Sequence, residues 1–313
     1  MLRKPILALA ADRTQKAQIN HVCGDPEEWF DSQPFRERNL YAASFDFFVD
    51  WESEQVCDEV WIKRISDSDS IQEKSETELL KLISACDGKE KSNRIYLFLA
   101  AQGMKEKYML FRDVPEAQWE NGQEKVVELD LSRYKENSVA RYARYDAKEI
   151  QEKIGQLRKR PAPIGSAGLI YATSSLEGYL SHQPYFWPGD VDTVIFDGKN
   201  EAAAILEFKK HTARSKILFA DQKITNYLQK DHLKYKSLAL LRDRLHTDLF
   251  VLYYPIQEEI PYMIIEKLDG PADALFASER YGIPLPNYRK ADQMRAFADQ
   301  FITDVLKRQE KIR

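Results

Sequence analysis

Two short strands joined by a turn are predicted in residues 188–211, which read PGDVDTVIFDGKNEAAAILEFKKH. Asp192 begins a run of strand-favouring residues, and the DG pair that ends this run is typical of a turn. The returning strand carries Glu207 and Lys209 two positions apart. Because side chains alternate between the two faces of a strand, Glu207 and Lys209 are expected on the same face.

The length of the turn determines which residues lie opposite each other. Positions 192 and 207 are symmetric about a point between Lys199 and Asn200. A four-residue loop over residues 198–201 therefore places Asp192 opposite Glu207. A two-residue turn at the DG pair would instead shift Glu207 four residues out of this register.

Two carboxylates and an amine that converge in this way suit a hard divalent cation beside a water molecule to be activated. Glu207 follows the apolar residues 203–206, so it is expected inside a buried strand. An ionised carboxylate there is costly unless it is paired or bound to a metal. Because oxygen ligands favour hard ions, the predicted cofactor is Mg²⁺ or Mn²⁺.

This pattern resembles the PD-(D/E)XK nuclease superfamily, whose core hairpin carries an Asp on one strand and Glu-x-Lys on the next. The matching residues are Asp192, Glu207 and Lys209, and the resemblance covers residues 165–255. It implies a restriction-endonuclease-like domain that acts as a Mg²⁺-dependent endonuclease on DNA, in restriction, phage defence or repair. The implied metal ligands are Asp192, Glu207 and the backbone carbonyl of Phe208, while Lys209 positions the attacking water.

Further candidates flank the hairpin. Asp190 lies two positions before Asp192 on the same predicted face and is the alternative metal-binding aspartate. Glu177, on a short predicted helix before the hairpin, is another candidate, since the superfamily often uses an acid there. Gln222 and Tyr227 are similar to the Gln-x-x-x-Tyr pair of exonuclease-like members, with one residue more between them.

Basic residues are concentrated just after the hairpin. The whole chain has a net charge of −4, so the composition carries no global signature of nucleic-acid binding. Residues 209–244, in contrast, contain ten basic and three acidic residues. Such a segment could follow a phosphate backbone, so DNA is the predicted partner and RNA the alternative. The DNA-binding candidates are Lys210, His211, Arg214, Lys216, Lys223 and Lys230.

The 313 residues are enough for two domains. Two prolines and a glycine in residues 161–165 indicate a boundary between an N-terminal α+β domain, residues 1–160, and the nuclease-like domain, residues 165–313. The fold class is α/β, or α+β overall, with a mixed sheet flanked by helices in the C-terminal domain. The sequence shows no internal repeat. The N-terminal domain is expected to serve recognition or oligomerisation, with a homodimer if both DNA strands are cut.

Hydrophobic periodicity predicts the secondary structure. Predicted strands cover residues 40–51, 59–65, 94–101, 108–112, 126–131, 192–196, 203–208, 248–254 and 262–268. Predicted helices cover residues 70–86, 138–157, 171–182, 221–245 and 293–313. From residue 171 the order is helix, antiparallel hairpin, helix, strand. The core of the superfamily has this order, and its last strand lies beside the Glu-x-Lys strand.

Composition and motifs argue against several function classes. Cys23, Cys57 and Cys86 lie far apart without a Cys-x-x-Cys pair, which favours reduced thiols in a cytoplasmic protein. No stretch approaches the roughly 18 apolar residues of a membrane span. The sequence has no glycine-rich phosphate loop, zinc-ligand spacing or serine-hydrolase elbow. The alternative function is a nuclease fold used without catalysis, for nucleic-acid binding or assembly.

Overall fold

The computed structural model describes residues 1–131, 141–161, 168–185 and 187–307. The class is α+β, with mixed β-structure flanked by helices, as the sequence predicts. The strands are β1 (Leu2–Arg3), β2 (Ala8–Leu9), β3 (Leu40–Asp50), β4 (Gln55–Ser66), β5 (Lys105–Arg112), β6 (Val126–Asp130), β7 (Arg141–Tyr145), β8 (Tyr171–Ala172), β9 (Gly189–Asp197), β10 (Ala202–His211), β11 (Leu249–Pro255), β12 (Tyr262–Asp269) and β13 (Phe276–Pro284). The helices are α1 (Pro26–Phe30), α2 (Gln33–Glu37), α3 (Glu76–Asp87), α4 (Lys89–Ala101), α5 (Glu116–Glu120), α6 (Ala147–Arg158), α7 (Ser175–Leu180), α8 (His232–Leu245) and α9 (Ala291–Gln300).

The described residues form two compact units that are not contiguous in sequence. Unit 1 takes its residues from the ranges 1–17 and 45–190, and unit 2 from the ranges 18–44 and 191–313. The division differs from the boundary predicted at residues 161–165, because α1 and α2 belong to unit 2 and α7 belongs to unit 1. Residues 162–167, where that boundary was predicted, lie outside the described residues.

Unit 1 is built on the strand order β3-β4-β5-β6-β7. β4 runs antiparallel to β3 and parallel to β5, and the pairs β5–β6 and β6–β7 are antiparallel. One face carries a buried cluster to which α6 and α7 contribute Ile150, Ile154, Leu176 and Leu180. Within each helix the two residues lie four positions apart, which is the spacing of one apolar helix face.

Unit 2 is built on the strand order β9-β10-β11-β12-β13. β9 and β10 form an antiparallel hairpin, β10 and β11 are parallel, and β12 and β13 continue with antiparallel pairs. A parallel pair needs a crossover connection, and α8 lies in that crossover. β11 is buried at every position, as is typical of a central strand with a parallel neighbour. The predicted position of this strand beside the Glu207 strand is therefore confirmed.

Aromatic and aliphatic side chains form the core of unit 2 on one face of its sheet. Alternate residues of β10 and β11, including Leu206 and Leu252, pack there against residues from α1 and α9. Phe30 of α1 lies near the centre of this cluster, with its ring 4.8 Å from that of Phe301 and 6.0 Å from that of Phe208. Phe208 thus lies on the core face, which leaves its neighbours Glu207 and Lys209 on the other face.

Most predicted strands are confirmed, but residues 94–101 are not a strand. They form the second half of α4, and their buried side chains are Ile95, Tyr96, Phe98 and Leu99. This spacing of one, three and four positions belongs to a helix face, although the run is also rich in strand-favouring residues. A short apolar run fits either structure, and here the helix is formed.

Other predicted elements are shorter than expected, and several strands were not predicted. In place of a helix over residues 138–157, β7 precedes α6, and residues 132–140 lie outside the described part of the chain. In place of one helix over residues 221–245, two 3₁₀ turns precede α8. The predicted helix at residues 171–182 is reduced to α7. The predicted helix at residues 293–313 corresponds to α9 and the π-helical turn Phe301–Val305, and residues 308–313 lie outside the described part of the chain. The longest strand that was not predicted is β13, whose charged, largely exposed sequence is typical of an edge.

No helix among the described residues is both long enough and apolar enough to cross a membrane. The cysteines Cys23, Cys57 and Cys86 form no disulfide, and each is partly buried. No disulfide therefore contributes to the stability of these units, which rests on packing and on polar contacts.

Candidate functional site

The turn between β9 and β10 contains four residues, 198–201, as predicted. The Asp197 carboxylate accepts hydrogen bonds from the backbone N–H groups of Lys199 at 2.9 Å and Glu201 at 3.1 Å. Asn200 has a φ of 66°, a left-handed conformation that asparagine adopts more readily than most residues. The aspartate and the asparagine in the turn sequence thus explain why the loop has this length.

The register at the site is the predicted one, but the turn alone does not produce it. Phe196 pairs with Ala202 beside the turn, and a β-bulge between Ala202 and Ala204 then shifts the register by one residue. Ile195 pairs with Ala204 and Thr193 pairs with Leu206, which places Asp192 opposite Glu207 in the next position. The regular pairing of the two strands ends at Thr193 and Leu206. Beyond this pair, the side-chain carboxylate of Asp192 makes the next contact with β10. Its Oδ2 accepts a hydrogen bond of 2.6 Å from the backbone N–H of Phe208.

Glu207 is fully buried on β10 and lies between two lysines. Its Oε1 is 3.2 Å from Nζ of Lys209 and 2.8 Å from Nζ of Lys234, on α8. Its Oε2 accepts no hydrogen bond from any described residue. A buried carboxylate oxygen without a donor is costly, because the desolvation of the charge is left uncompensated on that side.

Lys209 is held in a fixed position on the same face. Its Nζ is 3.2 Å from the Asp231 carboxylate and about equally far from the ring centres of Tyr227 and Tyr235, at 5.1 and 5.3 Å. Burial, followed by the nearby negative charge of Glu207, raises the pKa of Tyr235. Tyr235 is therefore a neutral phenol at physiological pH.

Gln222 and Tyr227, which resemble the pair found in exonuclease-like members, are in direct contact. The Tyr227 hydroxyl donates a hydrogen bond of 2.6 Å to Oε1 of Gln222. Since Tyr227 also stacks under the ammonium of Lys209, the two residues form an outer layer of the cluster around Glu207.

The remaining acidic candidates, Glu177 and Asp190, lie in unit 1. Glu177 accepts hydrogen bonds from the backbone N–H and the hydroxyl of Thr173. Lys63 donates to the same hydroxyl at 3.1 Å and lies 3.0 Å from Oδ1 of Asp46. Glu177 and Asp190 both act electrostatically on Lys63. The structure therefore groups them with the Asp46–Lys63 pair.

The Asp46–Lys63 pair is almost completely buried, and its two pKa values shift in the same direction. Burial raises the pKa of Asp46 to about 7, even though Lys63 opposes this shift. Burial also disfavours the charge on Lys63, but the carboxylates of Asp46, Glu177 and Asp190 outweigh it and raise the pKa of the amine. Since this one ammonium group lies near three carboxylates, we infer that Lys63 keeps its positive charge.

The six DNA-binding candidates fall into two groups. Lys210 donates to the backbone carbonyl of Gln18 at 2.7 Å, and burial lowers its pKa. His211 is buried, with Nε2 3.0 Å from the carbonyl oxygen of Ile217. These two side chains have internal structural contacts. The exposed candidates are Arg214, Lys216, Lys223 and Lys230.

Two residues of the cluster around Glu207 were not among the predicted site residues. Lys234 and Asp231 come from the start of α8, more than twenty positions from Glu207. The available signal was weak: Lys234 belongs to the basic segment and precedes Tyr235, which the helical periodicity assigns to the buried face. Among the described residues, no group of three or more His, Cys, Asp or Glu side chains is arranged to hold a metal ion.

Comparison of the chain with protein-family models, with curated proteins and with solved structures finds no match in any of the three. The chemistry of the site therefore has to be argued from its own geometry. That geometry consists of two opposed acids on a hairpin, two lysines beside the buried acid, and a layer of tyrosines.

Proposed function

We propose that this protein is a metal-dependent nuclease that hydrolyses phosphodiester bonds in DNA, with its active centre on the β9–β10 hairpin. The proposal rests on the burial and the polar surroundings of the Glu207 carboxylate. Its carboxylate is 0% exposed, it adjoins two ammonium groups, and its Oε2 lacks a hydrogen-bond donor among the described residues. Such an oxygen is costly in a purely structural role, whereas a bound cation would compensate it.

The types of residue on the hairpin suit a small divalent cation. Mg²⁺ is commonly held by only one or two carboxylates and keeps several water ligands, so a group of three acids is not required. Asp192 and Glu207, with the backbone carbonyl of Phe208, would hold Mg²⁺ or Mn²⁺. When bound, the cation would polarise the phosphate and stabilise the negative charge that develops in the reaction.

The chain's own contribution lies in Lys209 and its neighbours. Contacts with Glu207, Asp231 and two tyrosine rings fix the ammonium in place, so that little reorganisation is needed during the reaction. Lys209 would orient the attacking water and offset phosphate charge. The water oxygen forms a new P–O bond and one ester P–O bond breaks, which leaves a phosphate monoester and a hydroxyl end.

A cleavage assay with variants of both strands tests this function. Purified protein is expected to cleave plasmid DNA with Mg²⁺ and not with EDTA. Asp192→Asn and Lys209→Met are expected to lose most of this activity while keeping their melting temperatures within a few degrees of wild type. RNA is digested in parallel to establish the substrate. A well-folded wild-type protein that cleaves neither nucleic acid with Mg²⁺ or Mn²⁺ would contradict the proposal.

The alternative function, a nuclease fold that binds without catalysis, is favoured by one observation. Both acids already have protein partners, since Asp192 accepts from the Phe208 N–H and Glu207 is ion-paired to two lysines. If these are their only roles, Asp192→Asn should lower the melting temperature clearly. DNA binding would then persist without cleavage by any variant or by wild type.

The exposed basic residues that follow β10 are proposed to bind the DNA backbone. Replacing Arg214 and Lys216 together by alanine is expected to weaken binding similarly for all sequences. The slope of log K against log salt concentration should fall by about two, since each phosphate contact contributes roughly 0.9. Fluorescence anisotropy over a range of NaCl concentrations measures this slope. The exposed residues Lys81 and Lys105 of unit 1, replaced in the same way, serve as the control.

A cytoplasmic location is part of the same proposal. Three cysteines without a disulfide suit a reducing compartment, and DNA is available there as a substrate.

A further inference from the structure

Lys234 is the second ammonium group beside Glu207, and the proposed reaction does not yet give it a role. Its Nζ lies 2.8 Å from Oε1 of Glu207, closer than Nζ of Lys209 at 3.2 Å. The two lysines reach this oxygen from different elements, Lys209 from β10 and Lys234 from the first turn of α8. Because Glu207 is fully buried, water screens these charges little. The protein's own cations therefore lie against one side of the carboxylate.

The two lysines differ in how firmly they are held. Lys209 also lies 3.2 Å from the Asp231 carboxylate and beside two tyrosine rings, and its side chain is only 15% exposed. The side chain of Lys234 is 32% exposed, so part of it faces solvent. Its flexible four-carbon stem allows the ammonium group to move without a change in the backbone. Lys234 is thus the lysine that can leave Glu207.

The position of Lys234 in α8 is electrostatically unfavourable for a lysine. It is the third residue of the helix, and the first turn contains no acidic residue. The N-cap residue, Asp231, is acidic, but its carboxylate is paired with Lys209. The positive end of the helix dipole lies at this turn and repels a cation. Glu207 offsets this repulsion, and the phosphate group of a nucleic acid would do the same.

A divalent cation at Glu207 would reverse the charge balance around it. Asp192, Glu207 and Asp231 bring three carboxylates, and Lys209 and Lys234 bring two ammonium groups, so their net charge is −1. A divalent cation changes this to +1. The cation and the ammonium of Lys234 then repel each other, since they share one buried carboxylate. A phosphodiester group carries a single negative charge, which suits the resulting site.

We propose that Lys234 competes with the divalent cation for Glu207 and, once displaced, contacts a phosphate group of the DNA strand that is cut. This inference rests on the proposed nuclease function and adds a control of metal binding to it. Without DNA, the ammonium group pairs with Glu207 and weakens binding of the ion. With DNA, it contacts a phosphate oxygen and offsets the negative charge that develops there. Lys234 thus opposes metal binding and assists cleavage.

Metal binding without DNA tests the competition. Mn²⁺ titrations followed by electron paramagnetic resonance are expected to give Lys234→Met a dissociation constant about tenfold below that of wild type, because a repelling charge is removed. Lys234→Arg keeps the charge and is expected to bind Mn²⁺ like wild type. Lys267→Met is the matched control, because Lys267 is a partly buried lysine of the same unit, paired with Asp248 at 3.0 Å. Its Mn²⁺ affinity is expected to equal that of wild type.

Single-turnover cleavage tests the phosphate contact. At saturating Mn²⁺, Lys234→Met is expected to cleave plasmid DNA about 100-fold more slowly than wild type, a usual loss when one group that faces developing charge is removed. Lys234→Arg should recover part of this rate, since a guanidinium group also binds phosphate. Lys267→Met is expected to cleave at the wild-type rate. Tighter metal binding combined with slower cleavage distinguishes the proposed role from that of a purely structural ion pair.

The possible results separate this inference from the proposed function. Unchanged or weaker Mn²⁺ binding by folded Lys234→Met would overturn the competition, and cleavage at the wild-type rate would overturn the phosphate contact. The nuclease function stands in both cases. If Lys234→Met is unfolded, Lys234→Gln, which can still donate a hydrogen bond to Glu207, replaces it in both measurements. If folded wild-type protein cleaves nothing, the nuclease function and the phosphate contact both fall, while the Mn²⁺ titrations still decide the competition.

Discussion

Replacing Glu207 by glutamine is expected to lower Mg²⁺-dependent DNA cleavage by about 1,000-fold. A bound cation supplies several kcal/mol of charge stabilisation in the transition state, and each 1.4 kcal/mol or so corresponds to a factor of ten in rate. Glutamine keeps the size of the side chain but removes the negative charge that would hold the cation. Single-turnover cleavage at saturating protein measures the chemical step without contributions from DNA binding or product release.

The stability of the Glu207→Gln protein is expected to change little. Lys209 keeps its ion pair with Asp231, and Lys234 has a side chain that is 32% exposed and can turn to water. Glu201→Gln is the matched control, because it removes an exposed carboxylate from the turn of the same hairpin. If both variants cleave like wild type, Glu207 is not a metal ligand. If Glu207→Gln instead unfolds, its carboxylate is a structural ion-pair partner.

The hairpin could be predicted from the sequence because its geometry is local. The turn residues indicate where the chain reverses, and the alternation of side chains places Glu207 and Lys209 on one face. Both features depend only on residues within twenty positions of one another. The turn residues do not indicate the β-bulge between Ala202 and Ala204, and this bulge sets the register in which Asp192 lies opposite Glu207.

The surroundings of Glu207 could not be predicted in the same way. Lys234 and Asp231 reach the site only because α8 crosses from β10 to β11, and the rotation of a helix about its axis depends on packing across the sheet. The sequence indicates an apolar stripe on this helix, but it does not show which flanking charged residue turns inward. Similarly, nothing near Asp190 in the sequence indicates its association with the Asp46–Lys63 pair.

Helix α4 was predicted as a strand for a physical reason. Residues 94–101 combine strand-favouring side chains with helical spacing, so a short apolar run there fits either structure. The buried side chains Ile95, Tyr96, Phe98 and Leu99 follow the helical spacing.

Replacing Lys63 by methionine is expected to destabilise the protein by about 3–5 kcal/mol near neutral pH, the usual cost of removing one partner from a buried ion pair. Asp46 would be left as a buried carboxylate without its ammonium partner. The neighbouring carboxylates Glu177 and Asp190 would lose the same counter-charge. Chemical denaturation of wild type and variant measures the loss, and Lys105→Met, at an exposed position of β5, is the control.

The loss is expected to depend on pH in a defined direction. Asp46 has a pKa of about 7 in the folded protein and an ordinary value of 3.8. Between these values the folded state holds a proton that the unfolded state does not, so this group's contribution to the unfolding free energy falls as the pH rises. Without Lys63 the folded pKa moves higher still and the fall continues above pH 7. The destabilisation should therefore be larger at pH 8 than at pH 5.

A double variant separates this charge effect from a simple loss of packing. Asp46→Asn combined with Lys63→Met removes both charges of the pair, so it should recover much of the stability lost at pH 8 and little at pH 5, where Asp46 is already protonated. If Lys63→Met costs the same at both pH values and the double variant recovers nothing, the pair contributes by packing alone. In that case the ammonium of Lys63 would not be the group that compensates the buried acid of unit 1.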